Sequence, residues 1–429
     1  MSGTWLITGA RPLGRDAADV LVRDGLIAEI GPGLDEPGAQ RLDAGGLILL
    51  PGLVDLHTHL REPGREDAET VSSGTAAAAL GGYTTVHAMA NTEPVADTAG
   101  VVEQVWRLGR EAGRCDVQPV GAVTAGLAGS RLAELGAMAD SAARVRVFSD
   151  DGRCVDDAVL MRRALEYVRA FGGVIAQHAQ DPRLTSGAQV NEGEISGRLG
   201  LTGWPAVAEE AIIARDCLLA AHVGSALHVC HVSTAGSAEI IRWAKSKGWP
   251  VTAEVTPHHL LLTDELAVGY DPGFKVNPPL RTAADVAELR RALADGTIDC
   301  VATDHAPHPV EAKETEWSEA AFGMTGLETA LRVVQQAMVD TGLLDWPGVA
   351  DRMSVRPARI GRLTGHGAPL AVGGPANLTL YDPAAPAEAV SPAGASKSRN
   401  TPFAGMPLPG RVVATFLRGT PTVLDAKLA

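Results

Sequence analysis

The chain has 429 residues, of which 45% are hydrophobic and 21% charged, a globular composition that can bury a large core. Its formal net charge of −14 argues against nucleic acid or an anionic membrane as the main partner. The five dispersed cysteines form no C-x-x-C pair, no apolar run reaches the length of a membrane span, and "MSGTWLITGA" does not resemble a signal peptide. We therefore expect a cytoplasmic protein with reduced thiols.

Both ends of the chain have the sequence pattern of short β-strands separated by turns. Residues 1–50 are short strand-like runs separated by glycine and proline, such as "DVLVRDGLIAEIGPG". The final segment, with "GGPANLTLYDP" and "GRVVATFLRG", follows the same pattern. Because chain termini often lie close together, we expect the two ends to pair. The sequence thus predicts a small composite β-sandwich domain from residues 1–51 and 365–429, and a main domain from residues 52–364.

Eight short apolar runs fill the region between these ends. They are "GLVDLHTH", "YTTVHAMAN", "VQPVGAVT", "ARVRVFSDD", "GGVIAQHAQ", "ALHVCHVST", "WPVTAEVTPHH" and "TIDCVATDHAPH". Helical patterns follow most of them, and we predict helices over 66–81, 97–112, 156–170, 206–221, 234–247 and 283–294. Eight strand–helix units predict an α/β fold, the (β/α)8 TIM-type barrel. A doubly wound open sheet is the alternative, but no G-x-G-x-x-G follows a strand.

Polar residues end nearly every one of these runs. In a barrel, the carboxyl ends of the strands converge on one mouth, where active sites form. His57 and His59 are two residues apart and point to the same face of their strand, as does Asp55. Three further runs end in residues of the same kinds, namely His178, His231 and Asp304.

A single histidine at a strand end is usually structural, but this set predicts a metal centre, since unpaired buried rings are costly. Imidazole and carboxylate ligands without thiolate suit Zn²⁺, Mn²⁺, Co²⁺ or Ni²⁺. Four histidines with two carboxylates exceed the needs of one catalytic zinc and are sufficient for two metals. The fourth run ends in both Asp150 and Asp151, and strand alternation alone does not choose between them.

The sequence resembles the dihydroorotases of the amidohydrolase superfamily, especially the long bacterial type (class I). The landmarks that carry this resemblance occur in the family's order and span almost the whole chain. They are "PGLVDLHTHLREPG", "MANTEP", "FSDDG", "AQHAQD", "HVCHVST", "EVTPHHL", "FKVNPPLR", "ATDHAPH", "FGMTGLET" and "KSRNTPF".

The resemblance implies two metal ions, most simply two Zn²⁺ per subunit. By the family pattern, His57, His59 and Asp304 bind one metal, His178 and His231 bind the other, and Asp151 bridges them. Related hydantoinases typically bridge with a carboxylated lysine on the fourth strand, which "VFSDDG" lacks. The remaining histidines of the barrel are expected to be structural; they are His87, His228, His258, His259 and His305.

The implied reaction is the reversible cyclisation of N-carbamoyl-L-aspartate to L-dihydroorotate and water, in pyrimidine (UMP) biosynthesis. A metal-bound hydroxide would attack the ring carbonyl, and Asp304 would be the general acid and base. Arg61 would bind the substrate carboxylate through two parallel hydrogen bonds, and its alternative is a surface ion pair with Glu62 or Glu66. The other substrate contacts that the resemblance implies are Asn91, Asn277, His308 and the backbone of Phe322 and Gly323.

Residues 309–323 are polar, with little apolar periodicity, and are expected to form a mobile loop over the site.

Three competing functions are another cyclic amidase such as a hydantoinase or allantoinase, a deaminase on the same barrel, and a non-catalytic scaffold for aspartate carbamoyltransferase. The complete ligand set and Arg61 favour the dihydroorotase reaction. Aspartate carbamoyltransferase stays open as a partner of an active enzyme, and a homo-oligomer is expected on general grounds.

Overall fold

A computed structural model describes residues 3–429, and its central feature is a closed ring of eight parallel strands. The strands are Leu53–Thr58, Tyr83–Ala88, Asp116–Pro119, Val147–Phe148, Val174–Gln177, Ala226–Val229, Val251–Val255 and Cys300–Val301. Parallel backbone bridges from Gly121 to Phe148 and from Thr58 to His305 join the third strand to the fourth and the eighth to the first. The (β/α)8 barrel predicted from the sequence is confirmed.

Helices surround this barrel on the outside. Their bounds are Val71–Leu80, Ala99–Ala112, Leu135–Asp140, Ala158–Arg169, Glu194–Leu199, Val207–Val223, Ala235–Ser246, Ala283–Asp295, Val310–Lys313, Ala330–Val334, Trp346–Ala350 and Arg356–Ile360. Two π-helical turns, Gln335–Val339 and Asp351–Val355, and four 3₁₀ turns, Ala125–Leu127, His258–Leu260, Asp264–Gly269 and Pro272–Phe274, complete the set. All six predicted helices are present.

The first helix is shorter than the predicted 66–81. It begins at Val71, because the Thr70 hydroxyl accepts a hydrogen bond from the Ser73 N–H and caps the helix. Residues 62–69 instead form a loop at the mouth of the barrel, between the first strand and this helix.

Strands from both ends of the chain share one nine-stranded sheet. Its members are Trp5–Pro12, Ala18–Arg23, Leu26–Gly31, Gln40–Asp43, Ile48–Pro51, Leu378–Asp382, Arg411–Leu417, Thr420–Leu424 and Lys427–Leu428. Ile48–Pro51 pairs antiparallel with Leu378–Asp382, and Ile7, Val20, Leu378 and Phe416 pack in one core. Two-stranded pairs form between Val190–Asn191 and Gly203–Trp204, and between Glu388–Ala389 and Pro407–Leu408. No helix within residues 3–429 is long and apolar enough to cross a membrane.

Candidate metal centre

The six predicted metal ligands meet at the carboxyl end of the barrel. His57 lies within the first strand and His59 just beyond it, while His178 directly follows the fifth strand. Asp151, His231 and Asp304 follow the fourth, sixth and eighth strands after two or three residues. All six side chains are buried, so the barrel walls shield the cluster from bulk water.

Asp151 lies between two groups of side chains. Its Oδ2 is 3.2 Å from the His57 Nε2 and 3.3 Å from the His59 Nε2. Its Oδ1 is 3.2 Å from both the His178 Nδ1 and the His231 Nε2. Asp304 Oδ1 completes the first group, 3.0 Å from the His59 Nε2 and 3.4 Å from the His57 Nε2. One carboxylate thus faces two sets of ligand atoms, as a bridging ligand must.

The neighbouring Asp150 points away from the histidines. Its Oδ1 accepts hydrogen bonds from the Val123 N–H at 2.8 Å and the Thr124 N–H at 2.9 Å. Asp150 therefore fixes the backbone beyond the third strand. Of the two aspartates that the sequence left open, Asp151 is the one that faces the cluster.

Three of the histidines have their second ring nitrogen fixed by a hydrogen-bond acceptor. His57 Nδ1 donates to Glu254 Oε1 at 2.7 Å, and His59 Nδ1 donates to Asn91 Oδ1 at 2.9 Å. His178 Nε2 donates to the Oε1 of Gln180 at 2.7 Å. These acceptors select the tautomer in which each ring turns an unprotonated nitrogen toward Asp151, the arrangement typical of metal-binding histidines.

The electrostatics of the cluster fit a bound divalent cation. His57 Nε2 is buried without a hydrogen-bond partner, and the His178 Nδ1 lies 2.9 Å from the His231 Nε2. At that distance either a shared cation or the proton of one of the two rings must lie between the nitrogens. Burial opposes charge on His57, but Asp151 and Asp304 raise its pKa well above the usual range. The donor set is imidazole and carboxylate, which divalent zinc, manganese, cobalt and nickel accept.

Three residues at the mouth have backbone conformations that L-amino acids rarely adopt. The φ angles are +63° at Arg61, +32° at His231 and +48° at Asp304. Such conformations cost about 1–3 kcal/mol each and persist only where the surroundings determine them. The fold therefore imposes the positions of these three side chains.

Arg61 is buried at the mouth without a carboxylate partner. Its Nε donates to the Pro307 carbonyl at 3.1 Å, and no carboxylate of residues 3–429 lies within 4.0 Å of its guanidinium. Burial, followed by the charge of Arg65, lowers the pKa of Arg61 to about 10, so it is still a cation at neutral pH. The alternative surface ion pair does not form, because Glu62 accepts from the Val71 N–H and Glu66 from the Gly64 N–H.

The other predicted substrate contacts border the same space. Asn277 Nδ2 donates to Gln180 at 3.1 Å, and its buried Oδ1 has no hydrogen-bond partner. Burial and the charge of Arg61 lower the pKa of His308 to about 3, and its Nε2 donates to the Phe322 carbonyl at 2.8 Å. The Gly323 N–H donates to the Lys275 carbonyl at 3.0 Å, so in this conformation it is not free to bind a ligand.

Two lysines anchor the segment 309–323. Lys313 Nζ donates to the carbonyls of Lys275, Ala321 and Gly323 at 3.1, 2.9 and 3.1 Å. Lys275 Nζ donates to the Trp317 carbonyl at 2.6 Å and lies 4.4 Å from the centre of the Phe322 ring. Burial, with the charge of Lys275, lowers the pKa of Lys313 to about 7. The predicted mobility of this loop stays a prediction, and its described conformation is held by hydrogen bonds from the two buried lysine side chains.

Replacing Lys313 by methionine is expected to raise the KM for the substrate about tenfold. The substitution removes the three hydrogen bonds to backbone carbonyls that hold the segment around Phe322 and Gly323. Metal content should not change, since Lys313 does not contact the histidines. The measurement is steady-state kinetics with metal analysis. Glu311→Gln, an exposed change in the same short helix, is the control and should leave KM unchanged. Equal KM values in both variants would show that the lysine does not position the loop.

Glu254 and Gln180 contribute to the site, but the sequence did not assign them a role. Glu254 accepts from His57 and also from the His228 Nε2, at 3.0 Å. The available signal was a carboxylate within the short, largely apolar seventh strand, "VTAEV". The histidines expected to be structural lie outside the two ligand groups, and for example His305 donates to Glu69 at 3.3 Å while its Nδ1 accepts from the Gly326 N–H.

The Glu254→Gln variant is expected to bind zinc about 10- to 100-fold more weakly, the usual cost of losing an orienting partner of a metal-binding histidine. A glutamine cannot accept from both His57 and His228. Zinc affinity measured by chelator competition checks this result. Thr252→Val removes only the outer contact of the same network, at the His228 Nδ1, and should retain zinc affinity. A Glu254→Gln affinity equal to that of the unmodified protein would contradict an orienting role.

Known proteins resemble this chain in sequence and in fold. A family model described as Dihydro-orotase-like matches residues 46–237. The chain is 69% identical to the dihydroorotase of Streptomyces coelicolor over 424 residues, and 58% identical to that of Mycobacterium tuberculosis over 425 residues, each match covering 99% of both chains.

Solved structures share the fold. The L-hydantoinase (dihydropyrimidinase) of Arthrobacter aurescens superimposes with a TM-score of 0.87 at 27% identity, covering 100% of this chain and 97% of that chain. The dihydropyrimidinase of Brevibacillus agri gives a TM-score of 0.84 at 23% identity, covering 99% of this chain and 96% of that chain.

A (β/α)8 barrel whose mouth gathers four imidazoles around one shared carboxylate defines a metal-dependent cyclic amidohydrolase. The two relatives that match this chain over nearly their whole length are both dihydroorotases. The chain belongs to the dihydroorotase family.

Proposed function

We propose that this chain catalyses the reversible cyclisation of N-carbamoyl-L-aspartate to L-dihydroorotate and water, a step of pyrimidine biosynthesis, in the cytoplasm. The observation that carries the proposal is the position of Asp151 between two groups of histidines. Its Oδ2 lies 3.2 Å from the His57 Nε2, and its Oδ1 lies 3.2 Å from the His178 Nδ1. Arg61 adds a buried cation at the mouth that suits a substrate carboxylate.

In this proposal His57, His59 and Asp304 would hold one Zn²⁺, His178 and His231 would hold a second, and Asp151 would be the ligand shared by both groups. Mn²⁺, Co²⁺ and Ni²⁺ are the alternatives that the same donors accept. Zinc at such a centre supplies Lewis acidity, which polarises a carbonyl and makes water nucleophilic near neutral pH. Cys230 approaches His57, but burial raises the pKa of its thiol above the usual range.

Asp304 is the group that moves the proton. Burial would raise its pKa, but His57 and His59 hold it below the usual range, so the carboxylate is ionised at neutral pH. In ring opening, a water oxygen adds to the ring carbonyl carbon, and Asp304 accepts the water's proton. The ring C–N bond then breaks, and Asp304 returns the proton to the leaving nitrogen. Cyclisation uses the same groups in reverse.

The remaining residues would bind and orient the substrate. The terminal nitrogens of Arg61 would donate to its carboxylate, with His308 and the Asn91 amide nitrogen beside it. Asn91 has a second function here, since its Oδ1 already orients His59. Asn277 and the backbone around Phe322 and Gly323 would hold the ring, after the loop has released the Gly323 N–H from Lys275.

Arg61→Met is expected to lower kcat/KM for dihydroorotate about 100- to 1000-fold, because two charge-assisted hydrogen bonds to the substrate carboxylate are lost. Residual turnover of dihydrouracil, which lacks that carboxylate, should not change. Steady-state kinetics on both substrates make the comparison. Arg65→Met removes the same charge from the same loop and is the control. An equal loss on both substrates in Arg61→Met would contradict the proposed contact.

The proposal also covers the division of the chain into domains and its assembly with other chains. Residues 1–51 with 365–429 would form one domain and residues 52–364 the catalytic domain. We also propose a homo-oligomer, with aspartate carbamoyltransferase as a partner of the active enzyme. Size-exclusion chromatography with and without that transferase tests both statements.

The direct experiment is dihydroorotate hydrolysis by the purified protein, followed by loss of ultraviolet absorbance, with metal content measured on the same sample. Hydantoin and allantoin are assayed in parallel. Turnover of dihydroorotate alone supports the proposal, and turnover of hydantoin or allantoin alone contradicts it. Metal-loaded protein that is inactive even with aspartate carbamoyltransferase added would favour a non-catalytic scaffold.

A further inference from the structure

A cavity of about 790 Å³ opens at the end of the barrel opposite the metal centre. Asp116, the first residue of the third barrel strand, and residues 361–364, which follow the last barrel helix, contribute to its lining. The cavity lies beside the second, third and fourth strands near their amino ends, whereas the predicted metal ligands lie at the carboxyl ends of the strands. Its volume is within the range of small-molecule binding sites.

Positive charge dominates the lining of this cavity. Five arginines, Arg110, Arg144, Arg146, Arg362 and Arg418, line it together with a single carboxylate, Asp116. Five arginines against one carboxylate leave an excess of four positive charges, with His366 counted as neutral. This local excess occurs in a chain whose formal net charge is −14.

The single carboxylate of the lining, Asp116, already accepts hydrogen bonds from Arg418 and His366. Arg418 Nη2 donates to the Asp116 Oδ1 at 3.0 Å, and His366 Nε2 donates to the Asp116 Oδ2 at 2.8 Å. The other four arginines have no carboxylate of residues 3–429 within 4.0 Å. Four cations at one cavity without a counter-charge repel one another, and a bound anion would remove that repulsion.

Arg110 and Arg146 contact uncharged groups, and both keep guanidinium N–H donors that make no hydrogen bond within the described part of the chain. The Arg110 guanidinium lies 4.9 Å from the centre of the Trp106 ring, and the Arg146 Nη1 donates to the carbonyls of Ala139 and Val145, both at 2.8 Å. Arg144 and Arg362 are exposed at the rim, and their guanidinium groups make no hydrogen bond within the described part of the chain. The cavity is therefore lined by guanidinium groups with donors that no other group of residues 3–429 occupies.

We propose that this cavity binds a small oligophosphate, a molecule that carries a di- or triphosphate group. The planar guanidinium matches phosphate oxygens through two parallel hydrogen bonds, and the four unpaired arginines match the charge of a triphosphate. An extended polyanion such as nucleic acid fits poorly, because the overall negative charge of the protein repels it outside the cavity.

The test is a calorimetric titration of the metal-loaded protein at about 0.15 M ionic strength, where surface attraction is screened. Tripolyphosphate and ATP are expected to bind once per chain with Kd below about 1 mM, and orthophosphate at least about tenfold more weakly. Equal affinities for tripolyphosphate and ATP would assign the site to the phosphates alone, and tighter ATP binding would assign it to a nucleotide. An equilibrated mixture of dihydroorotate and N-carbamoyl-aspartate, which fills the opposite mouth, should not compete.

The variant Arg144→Gln/Arg362→Gln should weaken tripolyphosphate binding at least about tenfold, since each lost contact is a charge-assisted hydrogen bond. Its metal content, unfolding temperature and basal turnover should match those of the unmodified protein. Arg15→Gln/Arg291→Gln removes the same charge from exposed sites outside the cavity and should bind normally. Absence of saturable binding, orthophosphate affinity equal to that of tripolyphosphate, undiminished affinity in the cavity variant, or competition by the substrate mixture would each overturn the proposal.

Discussion

The Asp151→Asn variant is expected to lose most of its bound metal and at least about a thousandfold of its turnover, the scale of removing a preorganised charge from an active site. Asp151 contacts both histidine groups, one with each carboxylate oxygen. In the variant, one oxygen becomes an amide nitrogen that donates instead of accepting, so one group loses the shared ligand. Metal content from mass spectrometry and turnover on the same sample measure the two losses together.

The adjacent aspartate provides the matched control. Asp150→Asn should retain its metal, because Asp150 accepts from the Val123 and Thr124 N–H groups and does not face the histidines. The amide keeps the Oδ1 acceptor but loses Oδ2, which accepts from the Thr124 hydroxyl, and this loss should lower the free energy of unfolding by about 1–3 kcal/mol. Metal loss in Asp150→Asn together with metal retention in Asp151→Asn would contradict the geometry of the centre.

The second large effect is expected for Asp304→Asn. At saturating zinc, kcat/KM should fall about 100- to 10,000-fold, the usual contribution of a positioned acid–base group. An amide cannot accept the proton from water or return it to the leaving nitrogen. The loss should be equal for ring opening and ring closure, because an enzyme does not change the equilibrium constant. Initial rates in both directions measure it.

Asp55 provides a second buried aspartate for comparison. Its Oδ1 accepts from the backbone N–H groups of His57 and Thr303, at 3.0 and 3.1 Å, and burial raises its pKa to about 7. An amide retains one acceptor at that position, so Asp55→Asn should cost less than about tenfold in kcat/KM. Equal losses in Asp55→Asn and Asp304→Asn would show that the effect is structural and that Asp304 has no specific acid–base role.

The barrel could be predicted from the sequence because buried parallel strands appear as short apolar runs that end in polar residues. His57 and His178 are visible in the sequence for that reason, each at or near a strand end. The choice between Asp150 and Asp151 was different. Both residues lie beyond the end of the fourth strand, at Phe148, where regular alternation no longer decides which side chain points inward. The resemblance to dihydroorotases indicated Asp151, and the described geometry explains why that residue faces the cluster.

The partners of the histidine rings could not be predicted in the same way. Glu254 is 197 residues from His57 in the chain, and no local pattern links the two positions. Gln180 lies two residues beyond His178, but only the orientation of the ring shows that it accepts from Nε2. Contacts of this kind depend on the three-dimensional register of separate strands. Sequence periodicity does not determine that register.

The loop 309–323 shows a further limit of sequence interpretation. Its polar composition predicted a mobile segment, because one lysine and four glutamates suggest solvent exposure. In the structure, Lys313 is buried and donates to three carbonyls, including those of Ala321 and Gly323. Arg61 is similar, since its neighbours Glu62 and Glu66 are occupied by backbone N–H groups. In both cases the backbone is the partner, and composition does not reveal it.

The decisive experiment on the metal centre is a zinc titration of the metal-depleted protein, with dihydroorotate hydrolysis followed at each addition. We expect turnover to rise with bound zinc and to reach its maximum at two equivalents per chain, held by the two groups that share Asp151. Full turnover without metal, or a maximum that is unaffected by the Asp151→Asn substitution, would contradict it.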